Sequence, residues 1–234
     1  MAPLKIIVVG KSSVTHAPER GTLRFSVKGN GPDQQQVAKE VATSSTNVQN
    51  WIKSTFEIRT DDHPEPPLTK FSSTSIRTWT TSTDRDNNPV PNPHHASISF
   101  QAAFRDFSKL NHAVQELLSY PKVEIDGVDW SLTDETGSRL ASDARQLALR
   151  DAIQQANDYS TVLGRAVEVV EIADQGIPYR ATHTRMMASN FDYSGEDAPP
   201  LDLTPEDIDV ESNINVTLHD IQWAADIDYN QIDL

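Results

Sequence analysis

Lys122–Leu132, KVEIDGVDWSL, runs into Thr133–Ala166, TDETGSRLASDARQLALRDAIQQANDYSTVLGRA, and then into the apolar segment AVEVVEIAD that ends at Asp174. Val123 and Ile125 alternate on one face of a strand, and Val128, Trp130 and Leu132 alternate again after Asp126-Gly127 has shifted the phase by one residue. That pattern predicts a strand with a bulge or tight turn at the glycine. The next stretch predicts a long amphipathic helix. Arg150, Gln154, Asn157, Asp158 and Thr161 lie on its polar face, with Ala144, Leu147, Ala148, Ala152, Ala156, Tyr159 and Leu163 on the other. Gly164 is placed to end the helix, since glycine tolerates the left-handed conformation of a helix stop. Alanines on the buried face let a helix approach a sheet closely, which favours helix-on-sheet packing.

The remaining elements extend this pattern. Lys5–Val9 and Thr22–Lys28 read as strands, the second with Leu23, Phe25 and Val27 on one face. Gly31-Pro32-Asp33 is a helix-start signal, followed by an apolar stripe of Val37, Val41, Val48 and Ile52 to about Thr55. Phe56 then opens a short strand that leads into a proline-rich loop, 61–68. Thr69–Thr83 reads as one long strand, with Ala96–Phe104 as its partner in a long protruding hairpin and a proline-rich loop, 87–95, between them. Asp106 caps a second helix with Phe107, Leu110, Val114, Leu117 and Leu118 on its buried face, ended by Pro121. Gln175–Pro205 is a polar excursion, and Glu211–Trp223 returns as a strand with Ile214, Val216 and Leu218 on one face. Helices interspersed with strand pairs predict an α+β fold, a largely antiparallel sheet carrying about three helices.

The chain has 234 residues and no Gly/Ser linker, and is read as a single domain over 1–234 or two interlocked halves. No apolar run approaches the length of a membrane span, and MAPLKIIVVGKSS holds too short an apolar run for a signal-peptide core. Both observations point to the cytosol, or to a mature chain whose leader has been removed. With no cysteine, the chain has no disulfide, thiolate zinc site or cysteine nucleophile. Its net charge is −14, concentrated at the C-terminal end: 186–234 carries twelve acids and no Lys or Arg, while 1–185 holds 22 acids against 20 bases. Such a chain repels nucleic acid and anionic membranes, so a protein partner or simple solubility is the expected use of the acidic region.

The motifs carrying chemistry are few. Val9-Gly10-Lys11-Ser12 shares only its last residues with a phosphate loop; Lys5 stands where the first glycine belongs, and a strand follows, so a strand-to-strand connection is expected. His94 and His95 are weak candidates for a metal, read as exposed loop histidines; His16, His63, His112, His183 and His219 are scattered. Glu124, Asp126 and Asp129 are read as the outward side of a half-buried strand rather than as acid/base carboxylates. No nucleophile-elbow glycines frame a serine. No catalytic or cofactor-binding residue is assigned.

Trp130, Leu132, Asp134, Ala144, Arg145, Ala148, Ala152, Ala156, Leu163 and Gly164, in this order and spacing, resemble the diagnostic half of the SIMPL domain family, also called DUF541. The opening IIVVGKSSVTHAPERGTLRFSV, with Gly10, Pro18 and Glu19, is similar to that family's N-terminal pattern. The proline-rich insertions and the acidic C-terminal region are departures from it. The resemblance implies a non-enzymatic protein. Bacterial members, including periplasmic immunogenic types commonly exported, are linked to oxidative-stress defence and form ring-like or channel-like homo-oligomers, and the animal namesake is an adaptor that binds a kinase. No catalytic residue comes with the family motif. A self-assembling protein, in stress defence or as an adaptor, is therefore the first expectation. A small-ligand or peptide-binding module using a pocket between sheet and helices is the second, and an enzyme with an unfamiliar site the third.

Overall fold

In the computed structural model, residues 4–56, 65–83, 88–174, 185–186 and 203–220 are described. The strand expected after Phe56, most of the excursion 175–205, the end of the strand expected to reach Trp223, and His63 and His183 lie outside them. The fold is α+β with antiparallel sheets and three helices. The chain forms two compact units, each assembled from separated segments: Met1–His16, Leu132–Thr182 and Asp207–Leu234 in one, Ala17–Ser131 and His183–Glu206 in the other.

The first unit has a three-stranded antiparallel sheet and one long helix. Strands β1 (Lys5–His16) and β7 (Val167–Asp174) flank β9 (Ile208–Asp220), and α3 (Asp134–Leu163) packs on one face. Thr133 Oγ1 accepts the Thr136 N–H at the helix start, and Asp134 and Glu135 place negative charge in the first turn, favourable to the helix dipole. At the far end Gly164 adopts φ 62°, ψ 29°, and its N–H returns to the Ser160 and Thr161 carbonyls. The core joins Ile6 and Val8 to Ile214, Val216 and Leu218 beneath Ala148, Ala152 and Ala156.

The buried row of α3 is narrower than the sequence suggests. Leu140, Ala144, Ala148, Ala152 and Ala156, spaced by four, are buried, whereas Leu147, Tyr159 and Leu163 are exposed. Those three belong to the adjacent row with the same spacing, which includes Asp151 and Gln155. That row runs along the free edge of β1, where Asp151 accepts the Lys11 N–H at 2.8 Å and Gln155 donates to the Val9 carbonyl at 3.2 Å. The row of small side chains faces the sheet, with the half-buried Leu149 packed beside it.

The second unit has a six-stranded antiparallel sheet. It is built from β2 (Arg20–Gly31), β3 (Leu68–Ser73), β4 (Arg77–Thr80), β5 (His94–Phe104), β6 (Val123–Ser131) and β8 (Arg185–Met186), in the order β3-β5-β2-β6-β8, with β4 also pairing β5. Helices α1 (Gln34–Phe56) and α2 (Phe107–Ser119) supply its core with Val41, Val48, Ile52, Leu110 and Leu117. Asp33 accepts the Gln36 N–H at 2.7 Å and so caps α1, with Pro32 just before it. Phe56, expected to open a strand, is the last residue of α1: its ring is buried edge-on against Phe104 at 5.3 Å, and that packing holds the helical turn. Asp106 caps α2 through the Ser108 and Lys109 N–H groups. Leu118, placed by the pattern on the buried face, is instead exposed, and Ala113 is buried.

The bulge read from Asp126-Gly127 is present. Arg24 pairs with Gly127 and Phe25 with Ile125, leaving Asp126 as the extra residue, and Gly127 takes φ 144°. The strand expected over Thr69–Thr83 is interrupted. β3 and β4 both pair with β5, but at Thr74 the ladder is partly replaced, as the Ser99 N–H donates to the Thr74 hydroxyl rather than to a main-chain carbonyl. A side chain that competes for a ladder donor breaks a strand without separating it from its neighbour.

Candidate functional site

Two surfaces present unsatisfied or exposed chemistry, one in each unit. In the first unit, the sheet face opposite α3 is open. Alternation along β1 sends Ile6 and Val8 to the helix and Lys5, Ile7, Val9 and Lys11 outward, where Ile7 is 63% and Val9 41% exposed. Lys5 shares a cross-strand row with His219 and Glu168, and Ile7 shares one with Thr217 and Glu171. The open face is therefore basic and apolar along β1 and acidic along β7. On β7, Val169 and Ile172 are exposed on the α3 side, where they pair with Leu218 and Val216, and the register shifts at the exposed Val170, between Val169 and Glu171.

In the second unit the face of the sheet opposite the helices is polar. Arg24, Ser26 and Lys28 of β2 lie beside Gln101, Ser99 and Ser97 of β5. The three carboxylates of β6 do not form an acid/base pair with one another. Lys28 binds Glu124, Ser26 donates to Asp126 at 3.3 Å, and the Arg24 guanidinium lies 3.1 Å from Asp129. Arg24 Nη2 is buried and has no hydrogen-bond partner among the described residues. A cavity of about 440 Å³ opens here, bordered by Arg24, Asp126, Gln101, Ser72, Ser73 and Ser99. A second, of about 920 Å³, shares Thr74 and Ser99 with it and continues past Ile76 and Arg77 to Trp79. Most of the lining, Arg24, Gln101, Ser97, Ser99, Arg77 and Trp79, lies on the open face, and Phe100 also borders the first cavity.

His94 and His95 begin β5 rather than lying in a loop, so they project to opposite faces. His94 Nδ1 is 3.2 Å from the Thr80 hydroxyl, and the His95 ring stacks on Trp79 at 5.2 Å. Among the described residues no group of three His, Asp or Glu side chains is placed to hold a metal ion. No helix among them is long and apolar enough to cross a membrane. Gly10-Lys11-Ser12 lies inside β1 rather than in a connection, with the Ser12 hydroxyl donating to the Ala144 carbonyl at 2.6 Å; the chain turns instead at Ala17-Pro18-Glu19.

The family model for SIMPL, described as a protein of unknown function (DUF541), matches residues 6–218. The chain belongs to the SIMPL family. No curated protein matches it.

Within this SIMPL chain the residues that carry the resemblance have structural positions. Gly10, Ala144, Ala148, Ala152 and Ala156 form the close contact between β1 and α3. Trp130 is fully buried, edge-on to Phe107 at 4.9 Å, and Leu132 is buried just before the cap of α3. Pro18 is buried in the turn before β2, and the Glu19 N–H donates to the Ser131 carbonyl at 3.0 Å. Asp134 and Arg145 are exposed on α3, and Leu163 is exposed beside the Gly164 stop. The groove residues Arg24, Trp79 and Gln101 lie outside this set. Only Trp79 left a signal in the sequence, as a lone aromatic in the polar run Arg77–Thr83.

Proposed function

We propose that this SIMPL chain is a non-enzymatic, self-assembling protein that acts through its surfaces, in stress defence or as an adaptor. The observation that carries the reading is the charge-segregated open face of the three-stranded sheet, with Lys5 and Lys11 on β1, Glu168 and Glu171 on β7, and the exposed Ile7 and Val9 on the basic side. This pattern is self-complementary. A two-fold axis parallel to the strands lays β1 of one copy over β7 of another, so that Lys5 meets Glu168 and Val9 meets Ala173. The free edge of β1 is a poorer contact, because Asp151 and Gln155 already occupy its central main-chain groups. Asp129, Glu124, Glu40, Asp106 and His95 are engaged in ion pairs, a cap and a ring stack, an arrangement that suits a binding protein better than a catalyst.

The test is the native mass of the full chain by size-exclusion chromatography with light scattering. A discrete mass at a multiple of 26.0 kDa is expected. A monomer across micromolar concentrations would overturn the reading.

A further inference from the structure

The groove on the open face of the six-stranded sheet goes beyond assembly, and its chemistry is specific. Charge is nearly balanced along it: Arg24 faces Asp126 and Asp129 at one end, and Arg77 stands near the other. A bound anion would meet the Asp126 carboxylate, and a bound cation would meet the guanidinium. What the lining offers instead is a close mixture of donors and acceptors. Arg24 donates, the Asp126 carboxylate accepts, and the Gln101 amide and the Ser72 and Ser99 hydroxyls do both.

At the other end an aromatic ring is fixed and accessible. Trp79 is 41% exposed, its ring is stacked nearly parallel on His95 (8° between planes), and the Arg77 guanidinium lies 5.9 Å from its centre. The β5 partners of Arg24 and Trp79 are Gln101 and His95, six residues apart. At about 3.3 Å per residue the two ends are separated by roughly 20 Å along the strand. The ligand must therefore be elongated and uncharged, able to donate and accept at closely spaced hydroxyls, and equipped with an apolar face for the indole.

We propose that this groove binds a neutral oligosaccharide, with sugar hydroxyls hydrogen-bonded to Arg24, Asp126 and Gln101 and a ring face packed on Trp79.

The experiment titrates the full chain with cellohexaose, maltohexaose and chitohexaose, followed by amide chemical shifts and tryptophan fluorescence. At least one of the three is expected to saturate, with shifts at Ser72, Ser99 and Gln101. Asp126→Asn and Trp79→Ala should each weaken it by tenfold or more at an unchanged melting temperature, and Lys5→Glu, on the other unit, should leave it intact whatever the oligomeric state. The proposal is overturned if none of the sugars saturates at millimolar concentration, or if the two groove variants bind as well as the parent. It is also overturned if phosphate, citrate or an acidic peptide binds at these residues while the sugars do not.

Discussion

Gly10 of β1 lies directly under Ala148 of α3. A Cβ built on Gly10 would stand 1.9 Å from the Ala148 carbonyl oxygen and 2.8 Å from the Ala152 Cβ. The contact is with main chain, which no rotamer change can relieve. Gly10→Ala must push the helix off the sheet, and the expected loss is about 3 kcal/mol, at the upper end for overpacking a core. Urea denaturation of the two proteins checks this, and equal midpoints would show that the helix can shift freely.

Gly164 gives a contrasting case, since nothing lies within 4 Å of the position its Cβ would take, yet its φ is 62°. The cost of Gly164→Ala is then purely conformational, about 1 kcal/mol. Asn, which enters the left-handed region more readily, should recover part of it. Thermal melts of the Ala and Asn variants separate the two, and an Ala variant as stable as the parent would remove the conformational argument.

Asp106 links stability to pH. Burial pushes its carboxyl up, but the Ser108 side chain and the Lys109 and Ser108 N–H groups outweigh that, and the group sits below its ordinary value. A depressed folded-state pKa means that the stabilisation is complete above the ordinary carboxylate pKa, near 4, and is lost as pH falls through the depressed value. Asp106→Asn should keep most of the cap and lose this part of the acid dependence; Asp106→Ala should cost about 1 kcal/mol at neutral pH. Stability measured from neutral pH into the acid range distinguishes them, and parallel curves for parent and Asn variant would contradict the assignment.

The assembly face predicts a charge-swap result. Lys5→Glu places like charges opposite one another in the proposed contact, and should weaken association by about tenfold or more. Glu168→Lys should do the same, and the double variant should recover it. Dissociation constants from sedimentation equilibrium test this directly; two single variants that assemble like the parent would mean that this face is not the contact.

Much of the fold was legible in the sequence because its signals are local. The bulge at Asp126-Gly127 shows as a phase shift in the alternation, the Asp106 cap and the Gly164 stop are set by single side chains, and the alanine row of α3 states its own closeness to a sheet. Where the reading failed, a distant contact decided. Phe56 stays helical because Phe104, far along the chain, receives its ring. Leu147, Tyr159 and Leu163 match the apolar period yet are exposed, because the row they share with Asp151 and Gln155 falls at the edge of β1.

By itself the sequence determined the element types, the α+β class, the family and the segregation of charge along the chain, since each depends on residue identity and spacing over short stretches. Only the tertiary structure decided that the chain divides into two interleaved units, and that Lys5 shares a row with Glu168. It also decided that Arg24, Gln101 and Asp126 from three strands meet in one groove. Register between strands brings such residues together, and it is set by the packing of whole sheet faces rather than by any segment alone.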